Sequence, residues 1–274
     1  MFLVQPEKNI NNKMNISLIG KKALVGGASS GIGKAIAKQL AASGASVTLV
    51  SRNEDKLQAA IANLSTSEGQ THQYIVVDYT NFDMYKDKVS AFFKTNTIDI
   101  LVNNTQGPNA GNTLEKDTED YQQAFDLLFK TTAITTELAL KNMVKNKWGR
   151  IINVASVSVK EPLSYLALSN TIRAAVVTWG KSLATDVGPF QITVNSILTG
   201  YFDTDRITNL NATKAKQLKI SETEVRNQME LKVSLKRIGN PEEYGYLVAF
   251  LASENAAYIT GTAIPIDGGL LKSI

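Results

Sequence analysis

The sequence predicts an α/β protein: a doubly wound, parallel, seven-stranded sheet covered by helices on both faces and built as a single domain. Three observations lead there. Apolar runs of strand length alternate with segments of helical period along the chain. The runs are nearly continuous in apolar character, as strands buried on both faces require. Finally, 274 residues of 43% hydrophobic content suffice for one large core.

Residues 22–27 (KALVGG) form the first strand, and the glycine-rich turn GGASSGIG at 26–33 leads into a helix that is under way by Ile32 and includes 35–42. The second strand, 46–51, precedes a helix at 57–64; the third, 74–78, precedes a helical stretch at 89–93. The fourth strand, 99–104, is followed by a long helix over 121–144, and the fifth, 150–156, by a helix over 171–187. A sixth strand at 192–198, a helix at 242–251 and a closing strand at 262–269 complete the pattern. Residues 206–236 are polar and lysine-bearing with a weak helical period, which fits a pair of short helices inserted over the site, a lid at about 203–236. Residues 1–13 are polar, Asn-rich and aperiodic, so 1–17 reads as an extension ahead of a domain at 18–274.

Composition excludes several functions. The chain has no cysteine and one histidine, His72, at the entry to a strand; no disulfide, thiolate nucleophile or metal centre is expected. The net charge of +4 is spread among acids, as in Glu54-Asp55-Lys56 and Lys86-Asp87-Lys88, so no nucleic-acid partner is expected. No apolar run approaches the ~20 residues that cross a bilayer, and the start lacks a signal-peptide pattern; the expectation is a cytoplasmic protein with no membrane partner.

The turn at 26–33 is suited to phosphate. Gly27, Gly31 and Gly33 let the backbone approach a ligand, and the helix start offers unpaired N–H groups and the positive end of its dipole to a pyrophosphate. From about Ile19 to the C-terminus the chain resembles the short-chain dehydrogenase/reductase family. GGASSGIG matches TGxxxGxG with Gly26 for the threonine, Asp78 matches the acid after the third strand, and Asn103-Asn104 begins an NNAG motif that continues Thr105-Gln106. Gly200 and Thr204 match PGxxxT with Thr199 for the proline, and Ile259-Thr260-Gly261 through Asp267-Gly268-Gly269 match the closing strand.

The resemblance implies a Rossmann-type fold that binds NAD or NADP. Gly27, Ser29, Ser30, Gly31, Ile32 and Gly33 would hold the pyrophosphate. Asp78 with Tyr79 would hold adenine, and Asn103 would be a further cofactor-binding residue. The Thr199, Gly200, Phe202 and Thr204 segment would meet the nicotinamide half. At the tip of the second strand an NAD-specific protein would carry an acid, where this chain has Ser51 followed by Arg52. A hydroxyl and a guanidinium suit a 2′-phosphate, so NADP(H) is preferred and NAD(H) remains possible. A homotetramer or homodimer built through the long helices is also implied.

The family uses Asn, Ser, Tyr and Lys to reduce a carbonyl. Ser156, six residues after Arg150, matches the serine. Tyr165 looks like the tyrosine, but Ser169 then stands where lysine belongs. Anchoring on AAVVTWGKSLA places the pair at Ser169 and Arg173, with Ser169 the usual 13 residues after Ser156 rather than nine, and puts Leu128 at the asparagine. SNxxR thus replaces YxxxK. A serine hydroxyl is a far weaker acid than a phenol, and Arg173 stays charged, so the usual proton donor is missing, although Arg173 can still bind cofactor ribose or a substrate anion. A helix starting near Pro162 would align Tyr165, Ser169 and Arg173 as a relay; Tyr201 and Lys160 are other candidate donors. Two readings stay open: an NADP-dependent oxidoreductase that interconverts a small-molecule carbonyl and a secondary alcohol, 3-oxoacyl-carrier-protein-reductase-like, or a catalytically silent protein that binds NADP(H).

Overall fold

The computed structural model describes residues 15–273. Seven strands, β1 (Lys22–Gly26), β2 (Ser46–Ser51), β3 (Gln73–Val76), β4 (Ile100–Asn103), β5 (Gly149–Val154), β6 (Ile192–Thr199) and β7 (Ala263–Ile266), form one sheet in the order β3-β2-β1-β4-β5-β6-β7. All its neighbours pair in parallel. The chain winds from β1 outward to β3, then returns to lay β4 against the other side of β1. That reversal leaves a crevice beyond the carboxyl ends of β1 and β4, the place where open α/β sheets bind ligands.

Successive strand residues serve opposite faces. Val25, Ile100, Val102 and Ile152 join α1 (Gly31–Ala42), α2 (Glu54–Ile61) and α9 (Pro241–Ala252) in one core. Leu24, Leu101 and Ile151 join α3 (Phe82–Phe93), α4 (Thr118–Phe125), α5 (Thr131–Asn146) and α6 (Ala167–Val187) in the other. Ile16 and Leu18 already pack against the first core, while most of the expected extension, residues 1–14, lies outside the described residues. Residues 206–236 contain two helices, α7 (Asp205–Leu218) and α8 (Glu222–Lys232). No described helix is long and apolar enough to cross a membrane.

Two expectations need correction. The single helix over 121–144 is interrupted by a π turn at Asp126–Lys130. There the Thr131 and Thr132 hydroxyls donate back to the Leu127 and Leu128 carbonyls at 2.6 and 2.7 Å, a side-chain competition that disturbs the helical ladder. Helix α6 begins at Ala167, not near Pro162, because Leu166 pairs with Gly111 in an isolated parallel bridge and has non-helical backbone. Tyr165 therefore precedes the helix, and the proposed Tyr165, Ser169, Arg173 stripe does not form.

Candidate active site

A cleft of about 310 Å³ opens at the switch point. One wall is the turn from β1 into α1, where Gly27 and Gly31 take φ of 57° and 52°, left-handed values that suit glycine. A side chain at Gly33 would run into the Gly27 carbonyl, so turn and helix close only around a hydrogen. The start of α1 differs from its neighbours. Helices α2, α3 and α8 begin with side-chain caps from Asn53, Asn81 and Ser221 and carry acids in their first turns. Ser30 makes no side-chain cap, and the first turn of α1 has no acid. Its N–H groups and dipole thus face the cleft beside Gly27, Ser29, Ser30, Gly31, Ile32 and Gly33.

At one end, Ser51 is nearly buried, with its Oγ 2.8 Å from that of Ser29, and exposed Arg52 follows. Asp78 accepts from the Thr80 N–H at 2.9 Å and its hydroxyl at 2.8 Å. These bonds, the backbone one foremost, and the Arg52 charge hold its carboxyl below the usual range against a smaller opposing effect of burial. Tyr79 lines the cleft with its ring 4.8 Å from Tyr85, and burial keeps its phenol neutral by raising its pKa well above the ordinary value.

The replaced catalytic positions lie outside the lining of this cleft, two of them on a small inner cavity that shares Thr105 with it. Ser156 follows β5 and its Oγ accepts from the Ser158 N–H at 3.1 Å, which leaves its own proton free to donate. Ser169 is buried in the first turn of α6, and Arg173 lies one turn further on the same face. The Arg173 guanidinium donates through Nη1 to the Val154 carbonyl. Burial first, then the Arg206 charge, lower its pKa to about 10 against an opposing effect of Tyr244; it remains cationic at neutral pH. Arg173 and Leu128, the latter inside the π turn, line one small inner cavity with Asn103, Thr105 and Thr132. Tyr165 is partly exposed in the turn before α6. Burial raises its phenol pKa and that of Tyr201, on which Tyr165 also acts electrostatically.

Several sequence-assigned cofactor positions lie elsewhere. Asn103 does not reach the large cleft; its Nδ2 donates to Thr136 Oγ1 and Asn153 Oδ1, tying β4 to α5 and β5. Asn104, the next residue, lines the cleft and donates to the Gly26 carbonyl at 2.9 Å. Thr199 and Gly200 are absent from the cleft wall: the Thr199 hydroxyl is 3.0 Å from the Tyr244 hydroxyl, and Gly200 packs on Asp267. Phe202 is core, edge-on to Tyr244. Thr204 does line the cleft, joined by Thr105, Gln106, Asp205 and Arg206, which sequence reasoning missed. The only available signal was their adjacency to Asn104 and Thr204.

An open α/β sheet with a bare helix N-terminus at its switch point, a 2′-phosphate-compatible tip on β2 and a serine after β5 defines a dinucleotide-binding oxidoreductase domain. The family model described as enoyl-(acyl carrier protein) reductase matches residues 27–271. The 3-oxoacyl-[acyl-carrier-protein] reductase FabG of Chlamydia pneumoniae is 34% identical over 260 residues, covering 94% of this chain and 99% of that protein. The NADPH-dependent reductase BacG of Bacillus subtilis (strain 168) is 33% identical over 261 residues, covering 93% and 99%. The crystal structure of L-sorbose reductase from Gluconobacter frateurii, complexed with NADPH and L-sorbose, superposes with a TM-score of 0.88 at 30% identity, covering 95% of this chain and 100% of that one. The chain belongs to the short-chain dehydrogenase/reductase family, and is an NAD(P)-dependent oxidoreductase.

Proposed function

We propose that the protein is an NADP(H)-dependent reductase that interconverts a carbonyl and a secondary alcohol in the manner of a 3-oxoacyl-carrier-protein reductase, with an atypical proton donor. The observation that carries this reading is Ser51 and Arg52 on the cleft wall, where an acid would reject a 2′-phosphate, together with Arg173 on the small inner cavity that shares Thr105 with that cleft and Ser156 just after β5. The N-terminus of α1 suits the pyrophosphate, Asp78 the adenine, and Thr204 the nicotinamide half. When bound, NADPH supplies the hydride. The Ser156 hydroxyl donates a hydrogen bond to the carbonyl oxygen and stabilises the charge that develops there, and a proton from solvent completes the alcohol in place of the missing tyrosine. Arg173, already turned toward the end of β5, adds positive charge beside it. Helices α7 and α8 serve as the lid, with Asp205 and Arg206 at the cleft.

NADPH consumption across ketone, aldehyde and 3-oxoacyl panels tests the reading. Ser156→Ala is expected to lower kcat by about 10²–10³-fold, the usual cost of one oxyanion donor. The replacements at Leu128, Ser169 and Arg173 favour a second reading, a cofactor-binding protein without turnover. Tight NADPH binding by calorimetry with no consumption on any panel would establish that second reading and remove the first.

A further inference from the structure

The chain has six arginines. Three are ion-paired: Arg150 with Glu254 at 3.3 Å, Arg226 with Asp203 at 3.0 Å and Glu230 at 3.1 Å, and Arg237 with Glu243 at 2.6 Å. The other three, Arg52, Arg173 and Arg206, line the cleft or its inner cavity, and none pairs with a carboxylate among the described residues. A 2′-phosphate accounts for Arg52. The reduction proposed above uses Arg173 and leaves Arg206 without a role.

Arg206 rests on a glycine. Its guanidinium lies flat over Gly107, where a Cβ would stand 2.5 Å from Nη2, 2.8 Å from Cζ and 3.0 Å from Nη1. A side chain at 107 would make the guanidinium move. Arg173 is carried by α6 and anchored by one N–H on the Val154 carbonyl, with its other donors left over. Thr105 joins the two settings, lining the large cleft with Arg206 and the inner cavity with Arg173. The two cations also feel one another, since the Arg206 charge helps lower the Arg173 pKa. Of the two acids on the cleft wall, Asp78 is tied to Thr80 and acted on by Arg52, and Asp205 pairs with neither guanidinium. Two like charges on adjoining spaces that share Thr105, with Arg206 exposed to solvent, are relieved by an oxyanion that accepts from both.

We propose that Arg206 and Arg173 form a carboxylate-binding site beside the reaction centre, so that the substrate is an oxo acid. This rests on the reductase reading above. The carboxylate accepts from the Arg206 fork and the spare Arg173 donors, and its attached carbonyl is thereby presented toward Ser156. The same oxyanion chemistry could be supplied by the cofactor phosphates, and the test separates the two sources.

Rates of NADPH oxidation are measured for 2-oxo and 3-oxo acids and for the methyl esters of the same acids, alongside calorimetric NADPH affinity. The proteins are the wild type, Arg206→Gln, and Gly107→Ala, whose added methyl displaces the guanidinium. Circular dichroism checks that each variant is folded. The wild type is expected to prefer acids in kcat/KM by on the order of 10- to 100-fold, the worth of a charge-assisted pair, and both variants should bring the ratio near one. Equal rates for acid and ester in the wild type overturn the site. So does a variant that weakens NADPH binding while keeping the acid preference, which would give Arg206 to the cofactor. If no carbonyl is consumed the reductase reading fails separately, and titration of the acids into NADP⁺-loaded protein then decides. Uptake by the wild type that is lost in Arg206→Gln supports the site; no uptake, or uptake that the variant keeps, overturns it.

Discussion

Ser51 is one side chain, yet on the proposed reading it separates two coenzymes by charge. A carboxylate there would accept from ribose hydroxyls and repel a 2′-phosphate, while Arg52 alongside would lose its anion. Ser51→Asp should therefore lower the NADPH-to-NADH ratio of affinities by about tenfold or more, read by calorimetry with both coenzymes; an unchanged ratio would place the 2′ position elsewhere. Gly33→Ala tests the other end of the same ligand. Its methyl would push the Gly27 carbonyl away from α1, so binding of either coenzyme should fall by at least about 100-fold in a protein whose circular dichroism is retained. These residues were legible because turn glycines and a strand-tip acid, or its absence, occupy fixed places in a local motif. Arg206 was not. It reaches the site only because the loop holding Gly107 and the start of α7, far apart in sequence, meet at one wall of the cleft.

Helix ends decide what each element can do. Helix α9 begins with Asn240, Pro241 and Glu243, and Glu243 accepts from both the Asn240 N–H at 2.8 Å and the Arg237 fork. The Arg237 bonds first, then the backbone bond, hold its carboxyl at about 2 against an ordinary 4.5. A folded-state value below the unfolded one gives stability that is complete above about pH 4.5 and lost as pH falls toward 2. Because the side chain is 37% exposed, solvent screening leaves only about 0.5–1 kcal/mol. Glu243→Gln should lower the urea-derived unfolding free energy by that amount at pH 7 and by less at pH 3; an equal loss at both would mean packing rather than charge. The same logic explains where element reading failed. Periodicity cannot see that Thr131 and Thr132 bond back into the ladder, nor that Leu166 pairs with Gly111 and delays α6 until Ala167. The first is a local side-chain bond that hydrophobic spacing does not register, the second a contact far outside any helical window, and the second removed Tyr165 from the relay assigned to it.

At the scale of the whole molecule, seven apolar runs predict a parallel sheet, but their spatial order, β3-β2-β1-β4-β5-β6-β7, is not in the periodicity. That order is what makes the cleft a property of the complete fold. Its walls come from residues 27–33, 51–52, 78–79, 104–106 and 204–206, segments spread over most of the chain. The unfolded chain holds none of them together, so a ligand of this cleft binds the native state alone and raises stability by mass action. At a free concentration one hundred times its Kd, NADPH should add about 2.7 kcal/mol. For a chain of this size each kcal/mol moves the midpoint by about 2–4 °C, so the thermal shift should be about 5–10 °C. NADH at the same concentration lacks the phosphate that faces Arg52 and should shift the midpoint by less. The difference should shrink as salt is raised, because Arg52 is exposed and its charge is screened. A shift from NADH equal to or larger than that from NADPH would mean that Ser51 and Arg52 do not read the 2′ position, and would return the protein to the NAD-dependent members of its family.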